Sequence, residues 1–497
     1  MRKLKKYIIL ILMIMIIPFG GVLAGCEQAE PVSIVSVEKT GSSGLEDTYT
    51  ITYSDGTTST FTVTNGADGE DGKDGTDGKD GENGKDGKDG ADLTILDIYN
   101  QYVEENGPIT YNEFLKQYLT LNLGGNSSVV GECLNSTMKV YTEFYETVSD
   151  GYSGMIKRKN IFCGAAIIYA MDEEYSYIVT NYHVVYDVDA NADNGSHIAS
   201  ATYGYLYGSE SIPQDTGTTE TLNGTQYKVY TYGDYGIKMD YIGGSITYDI
   251  AVLRAKTSDI KAINENASPV KKADRYFVGE SAIAIGNPED EGISVTEGVV
   301  SVDNEYIYLN IDGITRTYRS VRIDTAIYHG SSGGGLFNAK GELIGITNAG
   351  DGTDQNVNYA IPLEIVTAVA DDIISDYVAN DTISSATKIT LGISVDSINS
   401  RYVYDKNSGY GDIVEDLVLS EVESDSIASA VGLEVGYQLT GLYVNETLYS
   451  FNRNFHIGDA LLRVKAGDVI KFTYISSGVS KESIEYTVQA SDIIKID

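Results

Sequence analysis

The apolar positions of this chain change period several times, and each change predicts a different element. Residues 8–17 form an unbroken apolar run behind Arg2, Lys3, Lys5 and Lys6. The run is too short for a comfortable transmembrane span and reads as the core of a leader covering residues 1–25. Further on, Tyr49-Thr-Ile-Thr-Tyr53 and Thr60-Phe-Thr-Val63 alternate about Ser54-Asp-Gly56, which predicts a hairpin with positive φ in its turn. This is the centre of a small β module over residues 26–65, with no chemistry of its own. From Gly66 to Asp92 the apolar pattern stops and glycine recurs at every third position. Helical spacing then takes over in Leu93, Ile95, Leu96, Ile98, Tyr99 and Val103. It continues in Phe114, Leu115, Tyr118 and Leu119 beyond Asn106-Gly-Pro108, predicting a helical hairpin over 93–127. Apolar, β-branched runs follow at Tyr175–Val185, Ile250–Leu253 and Leu343–Thr347, and these predict strands. The Gly-, Thr- and Tyr-rich residues 209–235 read as an inserted hairpin or loop, and Leu363–Tyr377 returns to helical spacing.

Candidate chemistry sits at the ends of those strand runs. Gly330-Ser-Ser-Gly-Gly334 places a serine among glycines, directly before a strand, turn and strand. A nucleophilic serine needs an exposed oxygen and nearby backbone N–H groups for an oxyanion, and glycine permits the tight backbone this requires. The same residues also make ordinary surface loops. Upstream, His183 ends one apolar run and Asp249 heads another. A base that takes the serine proton and a buried carboxylate that fixes the imidazole tautomer would complete such a site. Alone, each has a plainer reading: a strand-end histidine, and a carboxylate satisfied by turn N–H groups. Together, His183, Asp249 and Ser332 stand in the chain order of the chymotrypsin-type double β-barrel.

The surrounding motifs make the likeness specific. Cys163-Gly-Ala-Ala-Ile-Ile168, Ile178–Val185, Asp249–Leu253, Ala284-Ile-Gly-Asn-Pro288 and Val295–Ser301 occur in order. Asp324–Leu336, Gly341–Thr347 and Val357–Pro362 complete the series. Over this region the chain resembles the protease domain of the HtrA/DegP family of trypsin-like serine peptidases. The resemblance implies a mainly β fold with a chymotrypsin-like double β-barrel over 128–380. It also implies oxyanion donors at the N–H groups of Gly330 and Ser332. The substrate pocket would be lined by Ala326, His329, Thr347, Asn348 and Ala349. Trypsin-like enzymes that cut after Lys or Arg carry an acid six residues before the serine; here that residue is Ala326, so a small, uncharged side chain is expected instead. The chain departs from the family at Ser331 and Gly335, where Asn and Pro are usual, and at Tyr328-His329, where Asn-Pro is usual. From Lys388 onward, Leu391-Gly-Ile393, Ser424–Leu433 and Lys465–Thr473 resemble a PDZ domain, giving an α/β domain over 386–497. A PDZ domain captures a peptide as an added strand, here with Leu391, Gly392 and Ile393 as the carboxylate-binding loop. A structural β domain without a ligand is the alternative.

Composition limits the partners. The formal net charge of −37 argues against nucleic-acid binding and predicts repulsion from anionic lipid, so attachment to a membrane needs another cause. Leu23-Ala-Gly-Cys26 looks like a bacterial lipobox, which implies cleavage before Cys26, acylation of its thiol and a mature protein on the outer face of a membrane. The glycine repeat over 66–92 looks like collagen but has no proline and has Asp or Asn at every third position; a charged, extended spacer is the alternative. An extracytoplasmic setting permits a disulfide between Cys133 and Cys163, and two buried free thiols satisfy the sequence equally. No Cys/His spacing suggests a metal site, no phosphate-binding loop is present, and no cofactor is expected. The expected activity is ATP-independent endoproteolysis of misfolded or exposed extracytoplasmic proteins. Both the HtrA resemblance and the collagen-like repeat imply a homotrimer. Three rival readings remain: a catalytically silent binding protein, a surface scaffold built on the repeat, and a processing protease with one partner.

Overall fold

A computed structural model describes residues 34–43, 46–54, 56–64, 99, 103, 107, 127–149, 155–190, 197–311, 313–351, 354–406 and 409–496. The leader with Cys26, the glycine repeat and nearly all of the expected helical hairpin lie outside these residues. The chain divides into two units, Met1–Thr94 and Ile95–Asp497. In the first, β1 (Ile34–Ser43), β2 (Glu46–Tyr53) and β3 (Thr58–Thr64) form an antiparallel sheet in that order. Its turn after Tyr53 uses Gly56 at φ +79°.

The second unit opens with α1 (Ser127–Leu134). Strands β4 (Thr137–Ser149), β5 (Met155–Met171), β6 (Tyr175–Thr180) and β7 (Ala201–Leu206) follow, with the short α2 (Tyr182–Val185) after β6. The inserted segment is a two-stranded hairpin of β8 (Gln214–Leu222) and β9 (Thr225–Thr231). Then come β10 (Ile237–Ser245), β11 (Ile250–Lys256) and α3 (Thr257–Ile263). The order β11-β6-β5-β4-β7-β10, with β10 pairing back to β11, closes a first barrel.

A second barrel uses β13 (Ser281–Gly286), preceded by the two-residue β12 (Lys271–Lys272), then β14 (Ser294–Asn310), β15 (Thr315–Ile323), β16 (Gly335–Phe337), β17 (Glu342–Asp351) and β18 (Asp354–Pro362). It closes through β17–β18 in the order β17-β16-β13-β14-β15-β18. The fold is therefore mainly β, a chymotrypsin-like double barrel. The helix expected over 363–377 is α4, Leu363–Asn380.

The apolar runs of the first barrel lack strict alternation because both of their faces are buried. Ile168, Ile178 and Leu253 fill that barrel's interior with Met138, Val140 and Met239. Their neighbours Ile167, Val179 and Val252 face a second cluster with Ile285, Leu336, Phe337 and Ile361 of the second barrel and Val366 and Val369 of α4. Burying a residue of this size removes about 1.5–3 kcal/mol of exposed apolar surface, so the two barrels and α4 share one core.

After α4, β19 (Ser384–Ile389) pairs in parallel with β10. The C-terminal domain follows: β20 (Ile393–Asp405), β21 (Tyr410–Val422), α5 (Ile427–Ala430), β22 (Gln438–Val444), β23 (Thr447–Ser450), α6 (Phe455–Leu461), β24 (Val469–Ser476), β25 (Val479–Glu482) and β26 (Tyr486–Thr487). Its sheet runs β20-β21-β22-β24-β25, with β23 on β22 and β26 on β24. Finally β27 (Ile493–Ile496) returns to β19, so the C-terminal domain is tied to the sheet of the first barrel at both its ends.

Of the two alternatives for the cysteines, the structure has the free thiols. Cys133 is buried on α1 against the turn at Gly341, and burial pushes its thiol up to about 11. Cys163 lies opposite Tyr141 on β5, and burial raises its pKa as well. The disulfide that the compartment would allow is not formed.

Candidate active site

His183 stands on α2, whose Val184 and Val185 are buried in the first barrel and hold the helix against the end of β6. Asp249 lies in the turn between β10 and β11, fully buried, at φ +52°. A left-handed backbone is costly for a non-glycine residue and persists where its surroundings over-determine it. Here Asn181 Nδ2 donates to the Asp249 carbonyl at 3.0 Å, and the side chain is gripped twice by His183. Oδ1 accepts the His183 N–H at 2.9 Å, and Oδ2 lies 2.8 Å from Nδ1. This second contact assigns the proton to Nδ1 and leaves Nε2 facing the cleft as an acceptor. Burial lowers the His183 pKa, but the charge of Asp249 and its hydrogen bond outweigh it, and the net shift is upward.

Ser332 comes from the second barrel, between β15 and β16. The loop holding it lies against the first barrel, with Ala165 N–H donating to the Ser332 carbonyl at 2.9 Å. Gly333 makes that approach feasible: it sits at φ +86°, and a Cβ there would lie 2.2 Å from Thr180 Oγ1 and 2.3 Å from the Ala165 carbonyl. Serine and histidine line one cleft of about 720 Å³, with Phe162, Tyr186, Leu309, Ile327 and Asn358 among its walls. Ser332 Oγ donates to the Asn348 carbonyl at 3.3 Å, and no hydrogen bond to His183 is formed. Apo sites often hold such contacts open until substrate arrives.

Among the described residues, the N–H groups of Gly330 and Ser332 donate to no protein acceptor. The direction of the first is fixed from behind, because the His329 carbonyl accepts the Glu289 N–H at 2.7 Å. In a trans peptide the C=O and the following N–H point opposite ways, so the Gly330 N–H is turned away from Glu289.

The residues expected to line the substrate pocket fall in two places. His329, Asn348 and Ala349 line the cleft, whereas Ala326 and Thr347 do not. Ala326 lies in a separate recess of only about 10 Å³, its carbonyl held by Thr296 Oγ1 at 2.8 Å. Thr347 is fully buried and donates its hydroxyl to the Ser331 carbonyl, which makes it a brace of the serine loop. The reading from sequence missed Phe162, Leu309 and Asn358, which three different strands, β5, β14 and β18, bring to the cleft. No local pattern marks them.

Where the C-terminal domain meets the protease barrels, Leu391, Gly392, Ile393, Val395 and Ile457 line a groove of about 790 Å³ together with Tyr248, Tyr306 and Tyr318 of the protease. Gly392 is at φ +68°, and the N–H groups of Leu391 and Gly392 have no protein acceptor among the described residues.

The sequence pattern described as a trypsin-like peptidase domain matches residues 164–346. Among relatives, a serine protease Do-like HtrA of Lactococcus lactis subsp. lactis is 25% identical over 343 residues, covering 66% of this chain and 72% of that protein. The serine endoprotease DegS of Escherichia coli is 30% identical over 201 residues, covering 39% of this chain and 51% of that protein. Among solved structures, an HtrA-type protease AlgW with tripeptide is 19% identical, covers 73% of this chain and 97% of its own, and gives a TM-score of 0.44. The fold and the matched region define a serine-type endopeptidase of the trypsin-like class, acting on proteins or peptides. Within that class the chain resembles the HtrA-type serine proteases.

Proposed function

We propose that Ser332 is the nucleophile of this protease, His183 its general base and acid, and Asp249 the group that orients and charges the imidazole. The carrying observation is the doubly held His183–Asp249 pair, facing Ser332 across one cleft beside two unpaired N–H groups. On binding, Ser332 Oγ turns from the Asn348 carbonyl to His183 Nε2 and attacks the peptide carbonyl while its proton passes to the imidazole. The Gly330 and Ser332 N–H groups receive the oxyanion. His183 then protonates the leaving amine, and water, deprotonated by the same imidazole, releases the acyl group. With no charged group among Ile327, Asn348, Ala349, Gly350 and Asn358, this part of the cleft suits a small or medium uncharged side chain before the scissile bond.

The same proposal places the enzyme outside the cytoplasm, anchored through acylated Cys26 and held off the membrane by residues 66–92. At about 3.1 Å per residue this spacer reaches roughly 80 Å. The name of a periplasmic DegP-like serine endoprotease among its relatives supports an extracytoplasmic setting, where misfolded or exposed proteins would be the substrates. Among the described residues, no helix is long and apolar enough to cross a membrane. The groove at Leu391–Ile393 would hold a peptide tail as an added strand, and the assembly would be a trimer. Incubation of the purified protein with a denatured protein tests the activity. Cleavage by the wild type and none by Ser332→Ala is expected; an intact substrate with both overturns the reading.

A further inference from the structure

The loop that supports the oxyanion site is not held by its own barrel alone. Between β13 and β14 the chain makes a tight excursion in which Glu289 (φ +52°) and Asp290 (φ +62°) are both left-handed. Two consecutive non-glycine residues in that region need outside support. Part of it is local: Asn287 Oδ1 accepts the Gly292 N–H at 3.1 Å. The rest crosses the seam from β4. Lys139 Nζ lies 2.8 Å from Asp290 Oδ1 and 3.2 Å from the Asp290 carbonyl, and Tyr141 donates its hydroxyl to Oδ1 at 2.7 Å. Both donors are 2% exposed, whereas the Asp290 side chain keeps 37% of its surface, so two groups fixed in the buried seam hold a half-exposed carboxylate by charge-assisted hydrogen bonds.

The residue next to Asp290 is Glu289, whose N–H holds the His329 carbonyl and thereby turns the Gly330 N–H away from that contact. The approach is close, since a Cβ on Gly330 would lie 2.3 Å from the Asn287 carbonyl. We propose that Lys139 and Tyr141 are positioning residues for the oxyanion hole. They grip Asp290 from the first barrel, set the Glu289 peptide, and so fix the direction of a donor carried by the second barrel. Neither touches substrate; each acts through Asp290. The proposal rests on Gly330 N–H being an oxyanion donor in the mechanism above.

The test compares full-length wild type with Lys139→Met, Asp290→Asn, Lys139→Arg and Tyr141→Phe, using one peptide substrate and a peptide aldehyde of the same sequence. The aldehyde's hemiacetal oxygen occupies the oxyanion site, whereas KM reports mainly ground-state binding. Loss of one oxyanion donor lowers kcat about 10²–10³-fold. For Lys139→Met and Asp290→Asn, which misdirect the donor without removing it, kcat and aldehyde affinity are expected to fall together, roughly 10-fold or more with that loss as the ceiling, and KM to stay within about 3-fold. Lys139→Arg restores most of the loss. Tyr141→Phe, which removes one hydroxyl and leaves the fold intact, gives a smaller loss with the same signature and stands in if Lys139→Met fails to fold. Unchanged kcat and aldehyde affinity in Asp290→Asn, beside an active wild type, overturn this proposal alone. A wild type that neither cleaves nor binds the aldehyde overturns the protease mechanism and this proposal with it.

Discussion

Two seams cross the second unit, and they are built differently. The seam between the barrels is closed chiefly by shared apolar core, by backbone contacts and by glycine, with Lys139–Asp290 as an ion pair across it: Ala165 N–H to the Ser332 carbonyl, Gly333 against Thr180, Gly164 against the Ser332 carbonyl. The seam between the second barrel and the C-terminal domain is held by charge. Arg319 Nη2 on β15 binds Glu364 of α4 at 3.0 Å and Asp459 of α6 at 2.7 Å. Arg453 reaches Asp303 at 2.8 Å, Arg275 reaches Asp412 at 2.7 Å, and Lys465 pairs with Asp372. Arg275, Asp303, Glu364, Asp412, Arg453 and Asp459 line a cavity of about 490 Å³. Close packing fixes geometry to fractions of an ångström, as chemistry between His183 and Ser332 demands. Ion pairs tolerate adjustment and respond to pH and salt, so the second seam is the one that conditions can loosen.

The largest effect should come from the first seam. Asp249→Asn keeps the shape but supports the wrong imidazole tautomer, and a loss of about 10⁴ in kcat is expected from the analogous change in other triads. A loss below 10-fold, measured with a peptide substrate, would separate Asp249 from the chemistry. At the second seam, Arg319→Leu leaves Asp459 and Glu364 facing each other in a buried place. Breaking such a pair costs roughly 3–5 kcal/mol, to be read by urea denaturation followed at both domains. Little change would mean that the charges there are solvated and the contrast between the seams is false.

The two seams should also answer pH in opposite senses. His183 must be neutral to act as base, and its pKa is raised, so kcat/KM is lost as pH falls through a value above the ordinary 6.5. Asp459 is pushed up to about 7, chiefly by burial, with Arg319 opposing. A carboxyl raised on folding stabilises the folded state below its unfolded pKa, and that contribution disappears as pH rises towards 7. Docking of the C-terminal domain should therefore weaken between about pH 4 and 7, while activity rises over the upper part of that range. Unfolding midpoints and kcat/KM recorded across one pH series check both. The smallest effect is at the rim: Arg275→Ala removes a half-exposed pair and should cost less than about 1 kcal/mol, vanishing in high salt.

Much of the first seam was legible because its chemistry depends on local signals. A histidine closing a β-branched run, an aspartate opening another, and a serine among glycines are visible in order, and the structure places all three about one region. The glycines are readable for a physical reason, since Gly330 and Gly333 occupy positive φ in places a Cβ would fill. The second seam was not legible. Arg319 and Asp459 are 140 residues apart, and no periodicity announces which charges will meet; at the first seam the same holds for Lys139 and Asp290, 151 residues apart. The cleft suffered similarly: Ala326 and Thr347 are near Ser332 in sequence motif yet line a separate small recess, while Phe162 and Leu309 arrive from distant hairpins. Cys133 and Cys163 carry no signal that separates a bond from two thiols.

Labelling of the full chain with a fluorophosphonate, followed by mass mapping of the modified peptide, tests most directly whether the seam between the barrels assembles a reactive serine. One adduct on Ser332 is expected, absent in Ser332→Ala and strongly slowed in His183→Ala. No adduct, or an adduct on neighbouring Ser331 in the wild type, would contradict the assembly of His183, Asp249 and Ser332 as a working site.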